Sequence, residues 1–242
     1  GKELCEYQNE SSKRTVDLLE ELCDKKIDFD DAVKASLPTD KEIKRVEIFV
    51  LHHSMPENTT KCIDSLLKNS DWPHKITLLD TSRYARGVLA KIYNKLIKES
   101  TCEYIAFMCS DAEILSPWLS KFVSHLENDK IGCVVPLIKP AMNTNIDVKQ
   151  NSGIYHISSN DLSISVSLFR KKDIIDVGGF DEKFYLYGHD VDLLNRISKK
   201  YKLLLDSSVV VNHKVGSTTK RIFTKKELLS IDEYNNKIRN GK

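Results

Sequence analysis

VEIFVLHHSMPENTTKCIDSLLKNSDWPHKITLLD, residues 46–80, consists of two short apolar runs with an amphipathic segment between them. Val46–Leu51 has the composition of a β-strand, and Ile76–Leu79 is a second strand-like run that ends at Asp80. Pro56 begins the segment between them, in which apolar residues recur at helical spacing. The pattern therefore predicts a strand, a helix and a strand, which is the building unit of a parallel sheet.

The same alternation continues through the rest of the chain. Further strand-like runs are Tyr104–Met108, Ile131–Val135, Ile164–Phe169 and Leu203–Val211. Apolar residues at helical spacing predict further helices that begin near residues 88, 117, 171 and 190. Strands and helices that alternate over short connections predict an α/β domain, with a mostly parallel sheet and helices on both faces.

The segments around this pattern predict three parts. Residues 1–42 contain no strand-like run and predict a short helical appendage, which could pack against another domain or form a homodimer. Residues 43–223 hold the α/β domain, and residues 224–242 form a polar tail that is helical at most. Within the domain, the polar stretch Asn143–Ser152 predicts a mobile loop.

Charge and hydropathy narrow the range of functions. The chain has 37 basic and 35 acidic side chains in 242 residues, and this balance argues against a dedicated nucleic-acid binder. No signal-peptide pattern opens the sequence, and no apolar run reaches the roughly 20 residues of a membrane span. We expect a cytoplasmic protein with reduced cysteines, and peripheral attachment to a membrane stays open.

Several polar residues directly follow strand-like runs, where ligands of open α/β sheets bind. They include the His52-His53 pair, Asp80 and Asp111. The Asp111 carboxylate can bind a hard divalent cation that grips a diphosphate, although capping the following turn is an equal alternative. His213 ends the last strand; it is either an ordinary turn residue or, as a neutral imidazole, a metal ligand beside Asp111.

A second group of acids follows a glycine-rich, aromatic segment, GGFDEKFYLYGHDVDLL, residues 178–194. Asp190 and Asp192 lie where a helix begins, a position that favours aspartate for its free backbone amides alone. A carboxylate in a partly desolvated pocket there can also accept a proton from an attacking hydroxyl. The two interpretations are compatible.

Taken in order, these segments resemble an inverting glycosyltransferase of family 2 with the GT-A fold, over roughly residues 44–218. Residues 107–113, FMCSDAE, resemble the metal-binding D-x-D segment, and residues 178–193 are similar to the family's G-G-F-D-E…E-D-x-D-L signature. Two positions depart from the pattern. Cys109 stands where the first acid of D-x-D is usual, and His189 stands where glutamate is usual.

The resemblance implies transfer of a sugar from a nucleotide-diphosphate donor to an acceptor hydroxyl with inversion. It makes Asp190 the catalytic base and Asp111 and His213 the ligands of Mn²⁺ or Mg²⁺. The residues expected to contact the donor are Asp80, His52, Ser54, Lys91 and Ser110. A UDP-sugar is the first expectation for the donor, with dTDP- and GDP-sugars open, and the acceptor is a glycan, a lipid-linked or a protein-linked group.

Two other functions stay open. A sugar nucleotidyltransferase would normally need a glycine-rich, basic phosphate loop after the first strand, and residues 51–56, LHHSMP, contain neither glycine nor lysine. A non-catalytic domain that binds sugar nucleotides is suggested by Cys109 in the metal segment.

Overall fold

The computed structural model describes residues 44–52, 55–81, 88–140, 148–159, 164–185, 187–213 and 224–240. The predicted appendage at 1–42 lies outside these residues, and so does the 143–147 part of the expected loop. The remaining part of that loop, 148–152, is described, with Val148 buried.

The described residues form strands and helices in the predicted alternation. The strands are β1 (Val46–His52), β2 (His74–Asp80), β3 (Tyr104–Cys109), β4 (Ala112–Ile114), β5 (Ile131–Pro140), β6 (Ile154–His156), β7 (Val166–Arg170) and β8 (Lys202–His213). The helices are α1 (Pro56–Asn69), α2 (Leu89–Glu99), α3 (Leu119–Leu126), α4 (Lys171–Asp176), α5 (His189–Ser198) and α6 (Lys225–Asn240).

One sheet contains all these strands, in the order β2-β1-β3-β7-β5-β8-β4, with β6 also paired to β8. β1 is parallel to β2 and β3, and β5 is parallel to β8. β7 lies between β3 and β5 and is antiparallel to both, so β1, β2, β3, β5 and β8 share one direction. The expected α/β fold with mostly parallel strands is confirmed.

Helices cover both faces of the sheet because the strand side chains alternate between two apolar cores. Ile48 and Val50 of β1 point to the face on which α1 and α3 pack, whereas Phe49 points to the face covered by α2 and α5. Burial on both faces explains why the strands are continuous apolar runs in the sequence. No helix among the described residues combines the length and apolar character needed to cross a bilayer.

Helix α6 packs against the segment that precedes α5. Its buried residues are Ile231 and Asn235, one helical turn apart. The Asn235 side chain accepts a hydrogen bond from the Tyr185 N–H at 3.0 Å and donates one to the Tyr185 carbonyl at 2.8 Å. The C-terminal helix therefore holds the backbone of Tyr185, four residues before α5 begins.

Candidate functional site

The carboxyl ends of β1, β2 and β3 lie side by side at one edge of the sheet. His52 is paired in register with Asp80, and Leu51 is paired with Cys109. The Ser110 N–H donates to the Leu51 carbonyl at 3.2 Å. Three of the predicted donor-binding residues, His52, Asp80 and Ser110, are thus brought to the edge where open sheets bind ligands.

The His52 ring is held by the first turn of α1. The Thr59 hydroxyl donates to the Met55 carbonyl at 3.1 Å, and His52 Nδ1 lies 2.6 Å from the Thr59 hydroxyl oxygen. Because a hydroxyl has one proton to donate, the Nδ1–H of His52 is the donor in the second bond. The Thr81 hydroxyl also donates to the His52 carbonyl at 2.9 Å, which ties the ends of β1 and β2 together.

The short strand β4 brings Asp111 to His213. β4 is antiparallel to the end of β8, with Ala112 opposite His213, so the preceding Asp111 lies beside that histidine. His213 Nε2 is 3.1 Å from Asp111 Oδ1. The Cys109 thiol completes a group in which one ligand atom from each residue lies within 4.8 Å of the other two. The sequence indicated the Asp111–His213 pair as one alternative, but not the participation of Cys109.

The surroundings of this group favour positive charge. Burial alone would lower the pKa of His213, but Asp111 and Cys109 next to the ring raise the pKa to about 10. The pKa of the Cys62 thiol is also raised, first by burial and then by Cys109, Asp111 and Glu113. Negative groups therefore accumulate here, and either a protonated His213 or a bound cation compensates them.

His213 also has an unsatisfied ring nitrogen. Only 5% of this residue is exposed, and its Nδ1 has no hydrogen-bond partner among the described residues. An unpaired buried polar atom of this kind costs about 1–3 kcal/mol. The nitrogen that faces Asp111 is the other one, Nε2, and it is the ring atom that could bind a cation shared with Asp111. Carboxylate oxygen and imidazole nitrogen are common metal ligands, and the residues present therefore fit a divalent cation.

Asp190 lies in the first turn of α5, half-buried, and its Oδ1 accepts a hydrogen bond from the Val191 N–H at 2.9 Å. A buried tyrosine connects it to the group around Cys109. Burial raises the pKa of Tyr93, and charge interactions with Cys109 and Asp190 raise it further. Both groups are therefore close enough to the Tyr93 hydroxyl to interact through charge.

An aromatic cluster surrounds this tyrosine. The ring centroid of Tyr93 lies 4.7 Å from that of Phe107 and 5.1 Å from that of Phe180. His189 packs against Phe180 at 5.6 Å, and its burial lowers its pKa against the opposing effect of Asp190 and Asp192. His189, which stands where the resemblance leads us to expect glutamate, thus packs against aromatic rings next to Asp190.

Asn94 fixes the glycine turn that leads to α5. Its side-chain NH₂ donates to the Phe180 carbonyl at 2.9 Å, and its oxygen accepts from the Phe180 N–H at 2.8 Å. Gly179 has φ +71°, and a Cβ at this position would lie 2.6 Å from Asn94 Oδ1. The sequence showed Gly179 and Asn94 but not their contact, because they are far apart along the chain.

The remaining residues predicted to contact the donor are not joined to Asp111, His213 and Cys109 by any contact among the described residues. Lys91 is exposed on α2, and no contact joins it to the other predicted residues in the described part of the chain. Ser54 lies outside the described residues, as does His53.

Comparison with known proteins gives a family and a set of similar folds. The model of the family described as Glycosyl transferase family 2 matches residues 9–171, which is more than half of the chain. No curated protein matches the chain significantly.

Several solved structures are similar in fold. GalNAc-T7, in a crystal structure with UDP, GalNAc and Mn²⁺, has a TM-score of 0.53 and 12% identity, over 72% of this chain and 44% of that one. A structure of S. aureus TarS 1-349 has a TM-score of 0.51 and 13% identity, over 69% of this chain and 60% of that one. A longer S. aureus TarS structure has a TM-score of 0.52 and 13% identity, over 71% and 37%.

This chain spans less than two thirds of the length of each of these proteins. At such low identity the likeness concerns the fold alone. It agrees with the GT-A type of α/β sheet that the sequence resemblance led us to expect.

Proposed function

We propose, from the premise that this chain belongs to glycosyl transferase family 2, that it moves a sugar from a nucleoside-diphosphate donor to an acceptor hydroxyl with inversion. The observation that carries the proposal is the Asp111–His213 pair, which lies beside Cys109 at the carboxyl ends of β1, β2 and β3. Such an edge is where open α/β sheets bind nucleotides.

Asp190 is the proposed general base. Its carboxylate takes the proton of the acceptor hydroxyl while that oxygen forms a bond to the anomeric carbon, and the bond to the diphosphate oxygen on the opposite face breaks. A positioned base of this kind contributes about 10²–10⁴ in rate. The half-buried position of Asp190 and the charge interactions that it and Cys109 share with Tyr93 support this role.

Asp111 and His213 are the proposed ligands of a divalent cation, Mn²⁺ or Mg²⁺, through a carboxylate oxygen and an imidazole nitrogen. When bound, such an ion stabilises negative charge on a departing diphosphate. The proposed contacts to the donor come from Asp80, His52, Ser54, Lys91 and Ser110. UDP is the first choice of nucleotide, a choice supported by the GalNAc-T7 structure with UDP and Mn²⁺.

The proposed acceptor is a glycan or a lipid-linked or protein-linked group, and no nucleic acid is involved. Residues 1–42 are the proposed contact to a further domain or to a second copy of the chain. A cytoplasmic location, with or without peripheral membrane attachment, belongs to the same proposal.

A panel of UDP-, dTDP- and GDP-sugars, each with Mn²⁺, tests the function directly. The matching donor should raise the melting temperature by mass action, and nucleoside diphosphate should be released when an acceptor is added. Excess chelator should remove the melting shift, and added Mn²⁺ should restore it. Full activity in chelator would contradict the metal role of Asp111 and His213.

Other outcomes separate the alternatives. A melting shift without release of nucleoside diphosphate would identify a non-catalytic binding domain. Pyrophosphate formed from a nucleoside triphosphate and a sugar phosphate would instead identify a nucleotidyltransferase.

A further inference from the structure

We infer that the Cys109 thiolate is itself a ligand of the metal site, so that this chain prefers a thiophilic divalent ion, Zn²⁺ or Co²⁺, to Mg²⁺ or Mn²⁺. The inference rests on the metal site of the proposed function and concerns which ion that site selects. From the sequence, Cys109 looked like the loss of an acidic ligand; its position beside Asp111 and His213 indicates a replacement by a different ligand.

The backbone around Cys109 is held on three sides, which fixes the direction of its Cα–Cβ bond. Its N–H donates to the Ser165 carbonyl at 2.8 Å, and its carbonyl accepts from the Cys62 thiol at 3.6 Å. The residue is also paired with Leu51 of β1. Such restraint lets the thiol meet the other ligands without a large loss of conformational freedom.

The spacing of the ligand atoms suits one ion. Tetrahedral zinc with bonds of about 2.0–2.3 Å holds its ligand atoms about 3.3–3.7 Å apart. The sulfur, carboxylate oxygen and imidazole nitrogen of this group already lie within 4.8 Å of one another. Small side-chain rotations are enough to bring all three onto one cation, and Cys109 and Asp111 are each partly exposed, which leaves a path for its entry.

The donor chemistry then decides the preference. Thiolate is a soft ligand that selects Zn²⁺ among the common divalent ions, whereas Mg²⁺ and Mn²⁺ favour carboxylate, carbonyl and water oxygens. Zinc accepts cysteine sulfur, histidine nitrogen and carboxylate oxygen as ligands, and zinc sites that also bind substrate have three protein ligands and one open position. An aspartate in place of Cys109 would give a harder site of the kind that Mn²⁺ favours.

Co²⁺ is the probe that tests the inference. The full chain titrated with Co²⁺ should develop the strong near-ultraviolet absorption of a thiolate–cobalt bond. Cys109→Ser should lack this absorption, while Cys102→Ser should keep it because Cys102 precedes β3 at the opposite edge of the sheet. Circular dichroism and melting temperature of both variants establish that they are folded.

Metal competition gives a second, quantitative readout. Most protein sites bind Zn²⁺ more tightly than Mn²⁺. The diagnostic quantity is therefore the ratio of the Zn²⁺ affinity to the Mn²⁺ affinity, compared between wild type and variant. This ratio should fall at least about tenfold in Cys109→Ser, because even outer partners of metal ligands are worth about 10–100-fold in affinity. Cys109→Asp should lower the ratio while retaining the affinity for Mn²⁺.

Three results would overturn the inference: no cobalt binding, cobalt binding without thiolate absorption, or an unchanged affinity ratio in a folded Cys109→Ser variant. Failure of the proposed function is distinguishable. Sugar transfer by a wild-type chain that lacks the absorption would leave the function standing. The absorption without nucleoside diphosphate release from any donor would support the ligand and contradict the transferase.

Discussion

Asp190 and Asp192 lie two residues apart in the first turn of α5 but have different partners. Asp192 Oδ2 accepts hydrogen bonds from Arg196 Nη2 at 2.7 Å and from Arg196 Nε at 3.0 Å, one helical turn later. Asp190 accepts from the Val191 N–H, and within the described part of the chain no lysine or arginine is paired with it. The Asp192 carboxylate is committed to an ion pair with Arg196, and this difference supports Asp190, rather than Asp192, as the proposed proton acceptor.

Replacement of each acid by its amide tests this difference. Asp190→Asn should lower the turnover number by about 10²–10⁴ because the amide cannot accept the hydroxyl proton. The melting shift caused by the donor should persist. Asp192→Asn is the matched control on the same turn and should keep turnover within a few-fold of wild type, at reduced stability. Wild-type turnover in Asp190→Asn would exclude it as the base.

Residue types alone indicated Asp111, His213 and Asp190 as candidates, since each follows a recognisable strand end or helix start. They did not indicate Tyr93, because a tyrosine within an amphipathic helix normally belongs to the apolar face. Only the fold shows that Cys109 and Asp190 both influence its hydroxyl. Cys109, Asp190 and Tyr93 belong to three elements that are distant in sequence, so the sequence alone does not show that they lie close together.

At the scale of elements, the turn that leads to α5 depends on two consecutive glycines. Gly178 and Gly179 both have positive φ, +89° and +71°, a region that costs other residues roughly 1–2 kcal/mol each. The two glycines differ in the room available for a side chain. A Cβ on Gly178 would meet nothing within 4 Å, whereas a Cβ on Gly179 would lie 2.6 Å from Asn94 Oδ1. The second glycine is therefore required by a close contact as well as by its backbone conformation.

This difference predicts unequal effects of alanine at the two positions. Gly178→Ala should lower the free energy of unfolding by roughly 1–2 kcal/mol from backbone strain alone. Gly179→Ala should lower it further, because its methyl group displaces the Asn94 side chain from Phe180. Urea denaturation of both variants measures the difference. Equal losses would mean that the Asn94 contact does not restrict Gly179.

Helix α6 is the second element that positions α5. Asn235 is the buried contact, and its loss would leave the N–H and carbonyl of Tyr185 without their partner. An unpaired buried polar group costs about 1–3 kcal/mol. Helix α6 also lies close to the start of α5. Gly188 directly precedes α5, and a Cβ added to it would lie only 2.7 Å from Nη2 of Arg239 on α6.

We expect Asn235→Ala to destabilise the protein by about 1–3 kcal/mol and to increase hydrogen exchange at 185–190. Turnover should fall together with stability, because the orientation of α5 depends on this contact. Asn236→Ala is the matched control, since Asn236 is the next residue on α6 and is exposed. If residues 185–190 exchange as slowly in Asn235→Ala as in Asn236→Ala, the proposal that Asn235 positions α5 would be contradicted.

Elements of ordinary length could be predicted from apolar periodicity, but β4 and β6 could not. Each has three residues, too few for a repeating pattern to be distinguished from a turn. The consequence is large for the site, because β4 is the strand that brings Asp111 to His213.

At the scale of the whole molecule, the class of the sheet followed from the alternation of strands and helices, whereas its order did not. β7 was expected as a strand, but nothing in its composition showed that it runs antiparallel between β3 and β5. Strand order is set by packing over the whole sheet. Pattern within one segment carries no information about it.

A partly buried pair joins α3 to β8 and is expected to contribute to the stability of the domain. His125 Nε2 lies 3.0 Å from Asp206 Oδ2, and the Ser208 N–H donates to Asp206 Oδ1 at 2.9 Å. Burial alone would raise the pKa of Asp206, but the bonds to His125 and Ser208 outweigh it and lower the pKa to about 2. The unfolded chain, with an aspartate pKa of about 3.9, binds the proton more readily.

A lowered pKa in the folded state means that Asp206 stabilises the protein above pH of about 4, and that this contribution is lost as the pH falls towards 2. Asp206→Asn should therefore be less stable than wild type near neutral pH, and the gap should close on acidification. Urea midpoints measured at a series of pH values test this. His125→Gln should behave similarly. The double variant should be little less stable than either single variant, because both changes remove the same bond between His125 and Asp206. A gap that stays constant from neutral pH into the acid range would show that the pair does not contribute through the charge of Asp206.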